Sequence, residues 1–133
     1  MKDTLRLTND TSETPLLGEW VEKIGERLDL PTDKVFGLNL ALEEAVVNVM
    51  NYAYPEQKGM PIYLAVDDLD GALRFVLEDE GLPFDPTSHE LPDITLGAED
   101  RPIGGLGIFL VTQLMSRVEY QRVGNRNRLT MIM

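Results

Sequence analysis

Apolar residues recur at helical spacing along the first third of the chain. Between residues 13 and 29, Leu16, Leu17, Trp20, Val21, Ile24 and Leu28 fall three and four apart, while Glu19, Glu22, Lys23 and Glu26 occupy the remaining positions. That stripe predicts an amphipathic helix, ended by Pro31. Thr32 then serves as the cap of a second helix over 33–53, with Asp33 in its first turn, where the helix dipole favours a carboxylate. Val35, Leu38, Leu42, Ala45, Val46 and Val49 are among its apolar positions. Gly37 weakens this helix by about 1 kcal/mol relative to Ala, which points to close packing there. Elsewhere the pattern alternates with period two. Residues 3–8 read as a short strand, 60–67 and 72–79 as a hairpin turning at DDLDG, and 117–123 and 126–132 as a second pair joined at Gly124-Asn125. A third helix over 104–116 carries Leu106, Phe109, Leu110 and Leu114. Before it lies a stretch of about twenty residues, 83–103, with four prolines and no periodicity, long enough to be a functional loop. The order β-α-α-β-β-loop-α-β-β predicts an α+β two-layer sandwich: a mixed, mostly antiparallel sheet with helices on one face, in a single domain spanning 1–133.

Composition narrows the function. A chain of 133 residues, 43% of them hydrophobic, can build one core. The absence of cysteine excludes a disulfide scaffold, thiolate zinc sites and thiol catalysis. No apolar run reaches the roughly 20 residues that span a membrane, and MKDTLRLTND lacks the apolar core of a signal peptide. The expectation is a cytoplasmic protein with no membrane partner. A net charge of -11 argues against direct nucleic-acid binding, which draws on Lys and Arg for phosphate contacts. It also means that any anionic ligand needs local help from a metal, a helix N-terminus or a few placed arginines. The charge is uneven: Arg117, Arg122, Arg126 and Arg128 face only Glu119 in the last seventeen residues. That final hairpin is either a solvated strand face or a docking surface for an acidic partner.

Three polar constellations interrupt the pattern. In ALEEAVVNVMN, Glu44, Asn48 and Asn51 stand four and three residues apart on one helical face, with Glu43 about 100° away. A carboxylate there can take a proton from an attacking hydroxyl, and an Asn oxygen suits Mg²⁺; the plain alternative is the solvated face of an amphipathic helix. Asp79-Glu80-Gly81-Leu82-Pro83 follows a strand. An aspartate so placed can accept from the exocyclic amine of adenine, and Gly81 permits a tight turn or the close approach of a flat ligand; otherwise it is an ordinary acidic turn. Gly104-Gly105-Leu106-Gly107 opens the third helix, where free N–H groups suit phosphate, with Arg101 upstream as an added cation; otherwise it is a flexible entry to a helix. No GKS or GKT accompanies it, so it is not a Walker loop. His89, the only histidine, reads as a solvated loop residue.

In their order and spacing these three segments resemble the nucleotide-binding boxes of the GHKL ATPase superfamily. EEAVVNVMNYAYP, DEGLPFDP and PIGGLGIFLV further resemble the stand-alone anti-sigma-factor serine/threonine kinases of bacterial partner switching. The resemblance covers about residues 10–133. It implies the Bergerat fold, which binds ATP with Mg²⁺ between its helices and a lid, here within 83–103. By the same resemblance Glu44 is the general base and Asn48 the Mg²⁺ ligand, and Asn51 belongs to the nucleotide site. Asp79 contacts the adenine amine, Gly81 shapes the adenine pocket, and Gly104, Gly105, Leu106, Gly107 and Arg101 serve the phosphates. The late adenine-contacting threonine of the superfamily has two candidates, Thr130 and Asn127, and Tyr52 stands where many relatives have His. The implied partners are an anti-anti-sigma protein, which is phosphorylated, and a sigma factor, which is held; homodimerisation is common among relatives. The alternative is a nucleotide-gated binding module without significant phosphotransfer.

Overall fold

In a computed structural model the chain is described over residues 1–88 and 105–133. Its elements are β1 (Lys2–Thr8), α1 (Thr14–Arg27), α2 (Thr32–Tyr52), β2 (Pro61–Leu69), β3 (Ala72–Asp79), α3 (Gly105–Leu114), β4 (Arg117–Val123) and β5 (Arg126–Ile132), with short 3-10 turns at Thr11–Glu13 and Pro86–Ser88. Five strands form one sheet in the order β1-β2-β3-β5-β4. Every described pairing is antiparallel. The final hairpin enters the sheet with β5 innermost, so β4 becomes an edge.

Alternation divides the sheet into two faces. On β3, Leu73, Phe75, Leu77 and Asp79 are buried. Their register partners face the same way: Val66, Leu64 and Ile62 on β2, then Met131, Leu129 and Asn127 on β5. Against this face lie Leu17, Trp20, Val21 and Ile24 of α1 and Leu38, Ala41, Leu42, Ala45, Val46 and Val49 of α2, all buried. Trp20 meets Phe75 edge-on, with ring centroids 6.2 Å apart, a favoured aromatic geometry. The result is the expected α+β two-layer sandwich, with all described strand pairs antiparallel where a mixed sheet was expected.

The other face is polar. There Arg126 reaches Glu78 at 3.5 Å and Glu80 at 3.1 Å, Arg128 reaches Glu78 at 3.5 Å, and the Arg126 guanidinium lies 4.9 Å from the centre of the Tyr63 ring. The excess of positive charge in the last hairpin is thus largely matched by acidic residues at the end of β3 and just beyond it.

Three local expectations are corrected. Thr32 does not cap α2; Pro31 holds the cap position with no side-chain hydrogen bond, and its carbonyl accepts from Val35 N–H at 3.0 Å. Leu16, counted in the apolar stripe of α1, is 46% exposed because the helix turns its Leu17–Trp20–Ile24 side inward. Helix α3 begins at Gly105 and ends at Leu114, slightly shorter than expected. Gly37 behaves as predicted: a Cβ there would lie 3.4 Å from the Leu114 side chain, so the glycine brings α2 and α3 close. Between β2 and β3, Asp70 and Gly71 both have positive φ, the conformation of a tight two-residue hairpin turn.

Candidate active site

The inward row of β3 is apolar until its last residue, Asp79. Its side chain is 2% exposed. One carboxylate oxygen, Oδ1, accepts from Gly81 N–H at 2.9 Å and from the Asn127 amide at 2.8 Å. Among the described residues the second oxygen, Oδ2, accepts no hydrogen bond. Burial pushes the Asp79 carboxyl above its ordinary range, while the bonds from Asn127 and Gly81 and the charge of Arg122 oppose that rise.

Asn127 sits opposite Asp79 in the β3–β5 ladder and is 4% exposed. Besides Asp79, its amide donates to Leu82 O at 2.7 Å. Its oxygen accepts from Phe84 N–H at 3.1 Å, from the Tyr120 hydroxyl and from Arg122 Nη1 at 3.2 Å. Arg122 Nη1 also donates to Gly81 O at 2.8 Å. Thr130 is placed elsewhere: it pairs with Val76 and Glu119, and alternation turns it away from Asn127, Leu129 and Met131. Of the two late candidates, only Asn127 lies beside Asp79. In the sequence Arg122 reads only as one of four arginines of the final hairpin, and Tyr120 does not stand out. A signal existed, since a hairpin turning at Gly124-Asn125 sets Arg122 opposite Asn127 and places Tyr120 on the same face.

The turn after Asp79 is pinned to the end of α2. Leu82 N–H donates to Ala53 O at 2.8 Å. A Cβ on Gly81 would lie 2.3 Å from that same carbonyl oxygen, so only glycine fits. The close approach expected of Gly81 is therefore made to the protein's own backbone. Tyr54, 2% exposed, ties the same junction by donating to Pro61 O at 2.7 Å and accepting from Glu80 N–H at 2.6 Å. Burial pushes its hydroxyl up to about 12.

Helix α2 supplies the second group of side chains. Glu44 is half-buried, and burial followed by the charge of Glu43 raises its carboxyl above the ordinary range. Asn48, one turn further, is 4% exposed and makes no side-chain hydrogen bond within the described residues. Asn51 is exposed at the following turn. Tyr52 stacks on Phe84 with centroids 5.4 Å apart and planes 28° apart. Burial, followed by the charge of Glu44, raises the Tyr52 hydroxyl above its ordinary range.

Between α2 and the sheet lies a cavity walled by Ala45 and Val49, floored by Leu77, Asp79, Asn127 and Leu129, and bounded by Tyr120, Phe84 and Pro86. Its volume is about 20 Å³, the room of a single water and far less than a purine. The apolar walls and the polar floor at Asp79 suit a base, but Phe84 and Pro86 must withdraw to admit one. A magnesium ion takes few protein ligands and keeps its waters, and the Asn48 carboxamide beside the Glu44 carboxylate is a donor set of that kind. Among the described residues no group of three or more His, Cys, Asp or Glu side chains could hold a metal. Gly105, Leu106 and Gly107 form the first residues of α3, where backbone N–H groups are free of helical partners. Arg101, Gly104, His89 and most of the 83–103 segment lie outside the described residues.

The profile of the histidine kinase-like ATPase domain family matches residues 7–133. The chain is 29% identical over 130 residues to the serine/threonine-protein kinase BtrW of Bordetella bronchiseptica, spanning 97% of this chain and 91% of BtrW. It is 28% identical over 114 residues to the serine-protein kinase RsbW of Bacillus subtilis, spanning 83% of this chain and 69% of RsbW. In fold, the RsbU and RsbW domains of a Mycobacterium tuberculosis protein superpose with a TM-score of 0.70 at 13% identity, over 99% of this chain and 32% of that one. No described helix is long and apolar enough to cross a membrane. With a single profile running through α2, the Asp79 turn and the last hairpin, the chain belongs to the histidine kinase-like ATPase domain family.

Proposed function

We propose that the protein is an ATP-dependent serine/threonine kinase and anti-sigma factor that phosphorylates an anti-anti-sigma partner. One observation carries this reading: a half-buried Glu44 stands one helical turn from Asn48 on the helix that walls a cavity floored by Asp79. A carboxylate, a hard oxygen ligand and a buried acceptor are the parts that a protein kinase of this family requires. The relatives named as serine or serine/threonine kinases support the same class of chemistry.

Asp79 Oδ2 accepts the exocyclic amine of the adenine, and the apolar walls of α2 and β5 enclose the base. Entry displaces Phe84 and Pro86. Asn48 offers its side-chain oxygen to Mg²⁺, which, when bound, supplies charge neutralisation on the phosphates. Glu44 accepts the proton of the partner's serine or threonine hydroxyl as that oxygen bonds to the γ-phosphorus and the bond to the β-phosphate oxygen breaks, with ADP leaving. The raised affinity of Glu44 for protons makes it a better base than a solvated glutamate. Backbone N–H groups at Gly105–Gly107, with Arg101 and Gly104, stabilise charge on the transferring group, the main protein contribution to such reactions. We place the protein in the cytoplasm as a single ATP-binding domain, acting on protein rather than nucleic acid, and able to pair with a second copy.

The nucleotide-gated module is the second reading. The cavity favours it: a base cannot enter unless Phe84 and Pro86 move, so nucleotide binding and the placement of these two residues share one equilibrium. Incubating the chain with γ-labelled ATP and the anti-anti-sigma partner separates the two. Label on the partner supports the kinase; tight nucleotide binding and partner capture with no transfer support the module.

A further inference from the structure

The side chain of Asn127 uses its full bonding capacity while buried. Its two amide hydrogens serve Asp79 Oδ1 and Leu82 O, and its oxygen takes Phe84 N–H, the Tyr120 hydroxyl and Arg122 Nη1. It therefore joins β3, the 81–84 turn and β4 at one point. Arg122 spans the same point from the other side, holding Gly81 O at 2.8 Å as well. Among the described residues every hydrogen bond to the Asp79 carboxylate falls on Oδ1, and Oδ2 is left without one.

We propose that Asn127 and Arg122 are positioning residues for base selection: they fix Asp79 as a hydrogen-bond acceptor with Oδ1 committed to the protein and Oδ2 available to an exocyclic amine. This rests on the nucleotide site proposed above and adds what decides its base. An ionised carboxylate can only accept, so it welcomes the 6-amino group of adenine and repels the 6-carbonyl of hypoxanthine or guanine. A protonated carboxyl can donate, and the discrimination shrinks. A buried aspartate drifts toward the protonated form unless its charge is bonded. Among the described residues, the charged and titratable groups that meet it are few. Arg122 and Tyr120 face it from β4. Tyr54, two residues past the end of α2, is bonded to Pro61 and Glu80, and Glu80, next in the chain after Asp79, pairs with Arg126 on the opposite face of the sheet. Facing it from β2 and α2 are Ile62, Ala45 and Val49, which carry no charge. Arg122 is the only one of these with a positive charge directed to the Asp79 side.

The test is the affinity of the full chain for ATP and for ITP, with Mg²⁺, between pH 5 and 8 by calorimetry. ITP differs in carrying a carbonyl where ATP carries the amine. Wild type should hold ATP well and ITP poorly, with ATP affinity falling only toward the acid end. Asn127→Leu should weaken ATP by about tenfold or more at pH 7, the scale of a lost bond to a charged group. ITP affinity should stay within about threefold, and the acid loss of ATP affinity should begin about one pH unit higher. Arg122→Gln, which leaves the buried amide intact, should move the profile the same way by less, and Arg122→Lys should restore it. Equal losses for ATP and ITP in Asn127→Leu and Arg122→Gln with an unmoved pH profile would mean a purely structural role and overturn the proposal alone. Binding of neither nucleotide by wild type would overturn the nucleotide site itself, and the proposal with it.

Discussion

Two neighbouring rungs of the β3–β5 ladder occupy the same face and the same depth, yet they are built of opposite materials. Leu77 and Leu129 are 2% and 5% exposed and meet as an apolar pair; two residues on, Asp79 and Asn127 are 2% and 4% exposed and meet as a polar one. The first rung stabilises the fold by excluding water. The second opposes burial and is tolerated because Asn127 satisfies five groups at once. Along one strand face, then, the change from leucine to aspartate marks where an apolar rung gives way to a buried polar one.

Breaking the apolar side of the comparison should have the largest effect on stability. Phe75→Ala, two residues before Leu77, removes a fully buried ring that touches Trp20. Urea unfolding should show a loss of about 3–5 kcal/mol, and the folded fraction should keep its preference for ATP over ITP. A loss below about 1 kcal/mol would mean that the sheet face is not the centre of the core.

Breaking the polar side should do the reverse. Asp79→Asn should weaken ATP binding by about tenfold or more without lowering the unfolding midpoint at pH 7. The sign follows from the carboxyl itself. Its proton affinity is higher folded than unfolded, so the acid form favours the fold and stability is lost as pH rises from the ordinary aspartate value of 3.8 through the raised folded value. The substitution removes that loss, so its midpoint should rise relative to wild type as pH is raised through this window. A destabilised Asp79→Asn protein with unchanged ATP affinity would invert the roles assigned to the two rungs.

The smallest effect is expected on the outer face. Thr130→Val should change stability by less than about 0.5 kcal/mol and leave nucleotide affinity unaltered, because Thr130 faces away from Asp79. A tenfold loss of affinity there would restore Thr130 as the late contact in place of Asn127.

Local pattern carried much of this molecule. The stripe of Leu17, Trp20, Val21 and Ile24 located α1, and alternation around two tight turns located both hairpins. Asp79 was visible as a charge ending an apolar row. What pattern could not supply was order in space. The antiparallel return of β5 beside β3 brings Asn127 to Asp79 across 48 residues of chain; only that crossover separates Asn127 from Thr130. Arg122 looked like one of four surface arginines until the hairpin turned it inward. Thr32 failed as a cap because Pro31 already fixes the chain's entry to α2. Gly81 was singled out for a tight turn or the close approach of a flat ligand, and the nearest atom that excludes a side chain there is Ala53 O.

Glu44 offers the most direct test of the central claim, that this cavity serves phosphoryl transfer to a protein hydroxyl. Single-turnover transfer from γ-labelled ATP to the anti-anti-sigma partner should be compared for wild type and Glu44→Gln, with ATP affinity measured alongside. The account predicts that Glu44→Gln binds ATP within about threefold of wild type and transfers at least about a hundredfold more slowly, the scale of a lost general base. Undiminished transfer by Glu44→Gln, or no transfer by wild type with ATP bound, would contradict it.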